Sequence, residues 1–509
     1  MFKKILLATS LIILVISGCT SPKSLISTPR TFTVLYNDRK EAPFNSSWLI
    51  LQEYQKRENV TLDVSLGDDA DYNKAITLTL DSGNILDIIL KAFPDSTQSY
   101  ASTGLLLPFS DYEKQMPNFM AYIKKQNLQG ELDKLRLEDG KYYILPGFQR
   151  RIQVQQWIYR RDLFEKNGLP MPKTYEELFN SLVTLKQLYP DSTPITASWG
   201  GAHLFAMMGA GYGIPAGWAG TSYYNRQADR WQYSPATENF KAFLTFLSRC
   251  YAAGLLDPAT FTQSNDDFTN KLENGQAIVT VAWITSGFDT WNKKLKENGF
   301  SDGEWAALPV LESTMGIKAL PPVNPFRKGL VVPASVVNKP NFNDLLKFLD
   351  WAVYSDEGMT LTTWGLEDVT YKNTSEGKVL LPEIKSPKNP DGTILMGAHY
   401  GLEMLFNLNE NEEFEDYKKP AEIEAFLDTS LKNNETLDLN PRLVIDPNSI
   451  EAIRLINEKL DPYIAESTIK FINGELSVEK DWNTYISTMD NLGYKTIEDL
   501  WNAAWLKTK

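Results

Sequence analysis

The chain has 509 residues, 43% of them hydrophobic and 12% aromatic, which is enough to bury several cores and excludes a disordered or fibrous protein. Its 64 acidic residues outnumber 51 basic ones for a net charge of −13, so a surface built to neutralise phosphates is excluded and no nucleic-acid partner is expected. Two cysteines, Cys19 and Cys250, allow at most one disulfide, so packing is expected to hold the fold.

At the N-terminus, Lys3 and Lys4 precede an apolar run from Ile5 to Ile16, broken only by Thr9 and Ser10, which is the layout of a secretory signal. At ~1.5 Å per helical residue the run spans roughly 18 Å, short of the about 30 Å of a hydrocarbon core, so it is not a permanent transmembrane helix. It ends in Ile16-Ser17-Gly18-Cys19, which resembles the lipobox of bacterial lipoproteins. The resemblance implies removal of residues 1–18, lipidation of Cys19, and a Ser-, Thr- and Pro-rich tether over residues 19–30. The alternative is an ordinary signal peptide containing a chance cysteine.

After the tether, Thr31 to Asp38 alternates and is β-rich, predicting a first strand. Ser46 to Asn59 has helical spacing, Val60 to Gly67 reads as a second strand, Asp71 to Asn84 as a helix, and Ile85 to Ala92 as an apolar strand buried on both faces. Alternation of strand and helix means an α/β layer. Thr174 and Glu177 have capping-box spacing, and Tyr175, Leu178, Phe179, Leu182, Leu185 and Leu188 then recur every three or four residues. Further helices are predicted at Ala236 to Ala253, Asn343 to Tyr354, Ser449 to Ala465 and from Trp482 onward. In the last, Trp482, Tyr485, Ile486 and Met489 share a face and are read as core. The glycine-rich Gly209 to Gly213 reads as a turn, and the prolines of "GKYYILPG" and "KALPPVNP" mark crossings between lobes.

Seven segments in order carry a resemblance: "LTLDSGNILDIIL", "GLLLPFSDYEKQMPNF", "DGKYYILP", "WIYRRDLFEKNGLPMPKTYEEL", "LENGQAIVTVAW", "WAVYSDEGMTLTTWGLEDVTY" and "DWNTYISTMDNLGYKTIEDLWNAAW". Together they resemble the extracellular solute-binding proteins of family 1, receptors of carbohydrate ABC importers, in their long lipoprotein branch of Gram-positive bacteria. The resemblance implies an α/β, two-lobed periplasmic-binding-protein-like fold (type II) with a hinge between lobes. It places residues 31–145 and 321–363 in one lobe, and 149–320 and 364–509 in the other. It implies a monomeric receptor on the extracellular face of the membrane, held by the lipid on Cys19, that delivers an oligosaccharide to permease subunits served by a separate ATPase.

Sugar binding needs an aromatic face against the ring and planar polar groups around its rim. Trp283 ends a predicted strand, and Trp364 with Glu367 occupies a loop; the resemblance places both in the cleft, and core packing is the alternative. Trp199 in "ASWGG" and Trp218 in "PAGWAG" sit among small residues that cannot cover an indole, and Tyr212 belongs to the same glycine-rich stretch. Arg151 and Gln153 alternate on an extended run, so they point the same way; in the cleft the arginine favours an acidic sugar, and the alternative is a hinge salt bridge made by that arginine. Asn37 and Asp38 end the first strand as hydroxyl acceptors or turn formers.

Longer relatives carry a calcium-like loop after the helix ending here at Tyr189, but Pro190 to Pro194 lacks alternating oxygen ligands, so no metal and no cofactor is expected. His203 and His399 stand alone, and no HExxH, GxSxG or P-loop pattern occurs, so the chain is not read as an enzyme. A receptor for a peptide or other non-sugar solute is the alternative, and a glycoside hydrolase the remote one.

Overall fold

The computed structural model describes residues 25–508 apart from 41, 69–71, 82–85, 94–99, 102, 138, 149–154, 284–287, 323–325, 376, 386–391, 410–420, 442 and 444. The signal segment, Cys19 and most of the tether therefore lie outside the described residues. The strands are β1 (Arg30–Asp38), β2 (Val60–Asp68), β3 (Ile88–Ala92), β4 (Leu145–Phe148), β5 (Gln155–Arg160), β6 (Thr193–Ile195), β7 (Ser222–Asn225), β8 (Arg230–Tyr233), β9 (Ala277–Trp283), β10 (Trp305–Ala307), β11 (Phe326–Val331), β12 (Tyr371–Thr374) and β13 (Gly377–Leu380).

Two main sheets form, in the orders β2-β1-β3-β11-β4 and β10-β5-β9-β6, and each has its own core. Alternation along β1 sends Phe32, Val34 and Tyr36 into the first core and Leu35 to the opposite face, so both faces are covered as a parallel strand requires. β1 runs parallel to β2 and β3, while β11 and β4 join antiparallel. In the second sheet β6 and β9 run parallel.

The chain crosses between the sheets where the sequence punctuation puts it. It passes from Phe148 at the end of β4 to Gln155 at the start of β5, and from Leu320 in the second core back to Phe326 in β11. Phe326 pairs with Phe148 beyond the end of β3, and Gln155 pairs with Trp283 at the end of β9. Both crossings thus leave from the carboxyl ends of the parallel strands, which turns the strand ends of the two lobes toward each other.

One boundary differs from expectation. Residues from Trp364 to Leu408 contribute Trp364, Tyr371, Ile384, Leu402 and Phe406 to the first core, not the second. The cause is a contact distant in sequence: the Trp48 indole N–H donates to the Ala398 carbonyl at 2.9 Å, and Gly401 passes so close under the ring that a Cβ there would stand 2.4 Å from it. Asn409 then ties both ends, accepting from the Phe148 amide and donating to the Val353 carbonyl. The C-terminal helices Pro447–Asn473 and Val478–Leu492 join the second core through Phe471, Trp482, Tyr485 and Met489, as their spacing predicts.

Most local predictions hold to within a few residues, although the helix predicted at Ser449 to Ala465 runs on to Asn473, and two departures are of chemistry. Thr174 caps the helix Tyr175–Leu188 by accepting from the Glu177 amide, but the Glu177 carboxylate reaches back to the Lys173 amide rather than to Thr174. Gly209 and Gly211 lie inside the helix Ala202–Gly211, not in a turn, because their missing side chains let Ala216 and the Tyr175 ring approach to where a Cβ would stand at 2.6 and 2.7 Å. In the loop after Tyr189, the Lys186 ammonium donates to the carbonyls of Pro190 and Ser192 at 2.7 and 2.6 Å.

Candidate functional site

On the first lobe, the carboxyl ends of β1 and β3 are bolted together by Tyr72, whose hydroxyl donates to the carbonyls of Leu35 and Leu90. Burial pushes the Tyr72 phenol well above its ordinary pKa, so it stays a neutral donor. Gly67 makes room for that ring, since a Cβ there would lie 2.8 Å from it. On this base Asn37 is buried, and its side-chain oxygen accepts from Lys91 Nζ at 2.6 Å and from Arg39 Nε at 3.5 Å. Asp38, the neighbouring candidate, turns its carboxylate to the Phe44 amide at 2.8 Å and serves the loop.

On the second lobe the loop after β6 carries Trp199, Gly200 and Gly201 with φ of 54°, 59° and 80°, three successive left-handed residues. A tryptophan in that region is strained by about 1–2 kcal/mol, and here it holds a ring that is 64% exposed. The loop is fixed from behind. Gln263 donates to the Ala197 carbonyl and Thr196 hydroxyl, while Lys271 bridges Asp257 at 2.5 Å and Gln263 at 2.8 Å. Trp218 donates from its indole to the Gly200 carbonyl and packs on Phe205 and Phe261, so it supports the loop more than it faces outward. His203 lies beside Trp199, ring centroids 6.1 Å apart, and burial lowers its pKa, keeping it neutral.

Two candidates are packing residues. Tyr212 is fully buried and stacked on Tyr175, leaving no ring face for a ligand. Trp364 is 4% exposed within the first core, edge-on to Tyr371, because residues 364–408 join that lobe; Glu367 beside it is exposed. Arg151 and Gln153 lie outside the described residues. Trp283 closes β9 opposite Gln155, but its side chain lies outside the description.

A cleft of about 1690 Å³ lies between the lobes. Lys134, Leu135 and Tyr143 line it from the first lobe, Phe326 lines it at a crossing, and Tyr223, Asn225 and Gln232 of the β7–β8 hairpin line it from the second. None of the candidate residues above is among its described lining. Its wall also carries Trp231 and Tyr233, both buried, whose indole N–H and hydroxyl have no partner. The signal for this wall was present as the paired tyrosines of "SYYN" and the alternation of "RWQY" about a short turn. Gln155 was also missed: it is buried and its side-chain oxygen has no partner among the described residues.

The sequence profile of the family described as bacterial extracellular solute-binding protein matches residues 50–365, more than half of the chain, and the chain belongs to that family. No curated protein matches it. Among solved structures, the alginate-binding protein AlgQ2 without calcium ion superposes with a TM-score of 0.76 at 17% identity, covering 95% of this chain and 99% of that one. The substrate-binding protein FusA of Streptococcus pneumoniae, in complex with kestose, gives 0.70 at 19%, covering 94% and 99%. An HMO-binding solute-binding protein from Bifidobacterium longum infantis gives 0.71 at 15%, covering 94% and 98%. At these identities the likeness establishes the two-lobed fold.

Proposed function

We propose that this solute-binding protein captures an oligosaccharide between its lobes and delivers it to the permease of an ABC transporter whose ATPase is a separate chain. The observation that carries the reading is the interlobe cleft of about 1690 Å³, with tyrosine rings and side-chain amides on its walls. Drug-sized ligands fill about 300–1,000 Å³, so this space suits a chain of several sugar rings. Relatives in fold whose names record alginate, kestose and HMO binding support the same class. Tyr143 and Tyr223 of the cleft walls supply ring faces, Asn225 and Gln232 supply side-chain amides, and Trp199, exposed outside that lining, offers a further stacking face.

Binding works by population shift: a ligand that touches both lobes only when they close moves the open–closed equilibrium without bond chemistry. Among the described residues no helix is long and apolar enough to cross a membrane; in this reading the lipid on Cys19 attaches the protein. The chain so anchored works as a monomer on the extracellular face. Cys19→Ser is expected to release the protein into the medium, and continued membrane retention would refute the anchor.

The test of function is thermal unfolding of the mature protein against oligosaccharides and peptides. A ligand at about a hundred times its Kd adds roughly 2.7 kcal/mol to the folded state. A stabilising shift with one sugar class supports the reading; a shift with peptides alone refutes it.

A further inference from the structure

Every charged side chain on the described cleft wall already has its counter-charge. On the first lobe Lys134 Nζ donates to both oxygens of Glu131, at 2.8 and 2.7 Å. On the second, Arg226 meets Asp438 at 2.5 Å and Arg230 meets Glu498 at 3.3 Å, cation and carboxylate both belonging to the wall, while Glu238 faces Lys241 at 3.9 Å. An anion entering here finds no uncommitted cation in the described lining. To gain one it must displace a carboxylate that stays beside it as a like charge, a cost that a neutral ligand does not meet.

The uncharged groups of the same wall are oriented by a relay. The Ala228 amide donates to Asn225 Oδ1 at 3.0 Å, which turns the Asn225 Nδ2 toward Gln232, where it donates to Oε1 at 2.7 Å. The Tyr223 hydroxyl donates to the same oxygen at 3.2 Å, and burial pushes its pKa up to about 12, so it stays a donor. A backbone N–H can only donate, so the direction of the whole relay is fixed. Gln232 is left with its oxygen used twice and its Nε2 donating to nothing among the described residues. It is half-buried on β8, paired with Tyr223 across the hairpin, and it lines the cleft. Asn440 repeats the pattern, since its side-chain oxygen accepts from the Tyr224 amide at 3.0 Å and turns the amide nitrogen away from that strand. Uncharged donors of this kind match the hydroxyl and ring oxygens of a sugar.

We propose that the oligosaccharide is uncharged and that the Gln232 amide donates to one of its oxygens, which makes Gln232 a residue that sets specificity. This rests on the sugar-receptor reading and adds the charge class of the sugar and one of its contacts.

The test is calorimetric titration of the mature protein, wild type and Gln232→Glu, with neutral oligosaccharides and their uronic-acid or sulfated counterparts, at low and high salt. The wild type is expected to bind a neutral sugar about tenfold or more tightly than its acidic counterpart, with an affinity that salt leaves unchanged. Gln232→Glu keeps an oxygen for Asn225 and Tyr223 and removes only the donor, so ligand-free unfolding should stay close to wild type while the neutral sugar binds about tenfold or more weakly. That loss should shrink as pH falls toward the carboxylate range, where the new carboxyl regains a proton to donate, a recovery that a merely structural role would not show. Tighter binding of an acidic sugar, or an affinity that falls as salt rises, overturns the charge class. Wild-type affinity in Gln232→Glu overturns the contact, and either result leaves the sugar receptor standing. If no sugar of either kind binds the folded protein, both readings fall.

Discussion

Trp199→Gly separates a ligand platform from a packing residue, because strain and exposure at this position push stability and binding in different directions. The residue is 64% exposed, so of a tryptophan surface of about 250 Å² some ~160 Å² is free to meet a ligand. A sugar covering half of that removes about 80 Å² of apolar surface from water, worth about 2 kcal/mol at ~25 cal/mol per Å². Its loss weakens Kd roughly thirtyfold. For the fold, the buried third of the ring is worth a similar ~2 kcal/mol, but glycine at φ 54° recovers about 1–2 kcal/mol of left-handed strain. Ligand-free Tm is therefore expected to fall by no more than about 3 °C. Trp199→Ala loses the same ring while keeping the strain, so it should melt below Trp199→Gly, reversing the usual order of alanine and glycine. Calorimetric titration of both variants with the sugar found by the screen, beside their melting curves, reads both effects. Wild-type affinity in Trp199→Gly, or a melting point well below that of Trp199→Ala, would refute the reasoning.

Three further outcomes follow from packing and charge. Burial raises the carboxyl pKa of Asp350, Asp461 and Glu498, so the folded state holds more protons than the unfolded one and Tm should rise as pH falls from neutral toward the ordinary carboxylate range. Below that range Glu176, held ionised by Arg249, and Glu53, held ionised by Arg57 and Lys56, protonate and stability falls, so a melting series that rises steadily with pH would contradict this. Gly401→Ala forces a Cβ within 2.4 Å of Trp48 at φ 69° and should cost about 3 kcal/mol or more, seen as earlier unfolding in urea; a neutral result would detach residues 364–408 from the first lobe. Lys186→Met removes an ammonium from the Pro190 and Ser192 carbonyls and should cost roughly 1–2 kcal/mol, while a calcium chelator leaves the wild-type Tm unchanged; a drop on chelation would mean that a metal does hold this loop.

What the sequence determined by itself was whatever depends on neighbours along the chain. Period two in Thr31 to Asp38 and spacings of three and four after Thr174 specify strand and helix, since each residue's direction follows from its offset. The order of such elements suffices for an α/β layer, and the two lobes and the receptor role follow from the family resemblance of seven segments in order. Contacts distant in sequence lay beyond it. Trp364 and Tyr212 have the composition of ligand residues, yet Trp48 draws the segment from Trp364 to Leu408 into the first core, and Tyr175 stacks over Tyr212. Trp199 offers the converse: three left-handed residues in a row lift it out of the core, a backbone property its flanking glycines permit but do not require. Likewise Lys91 meets Asn37 only because β1 and β3 pair in parallel, 54 positions apart in the chain. Side-chain type is written locally, whereas which face is covered, and by what, is decided by the packing of elements that the chain brings together from far apart.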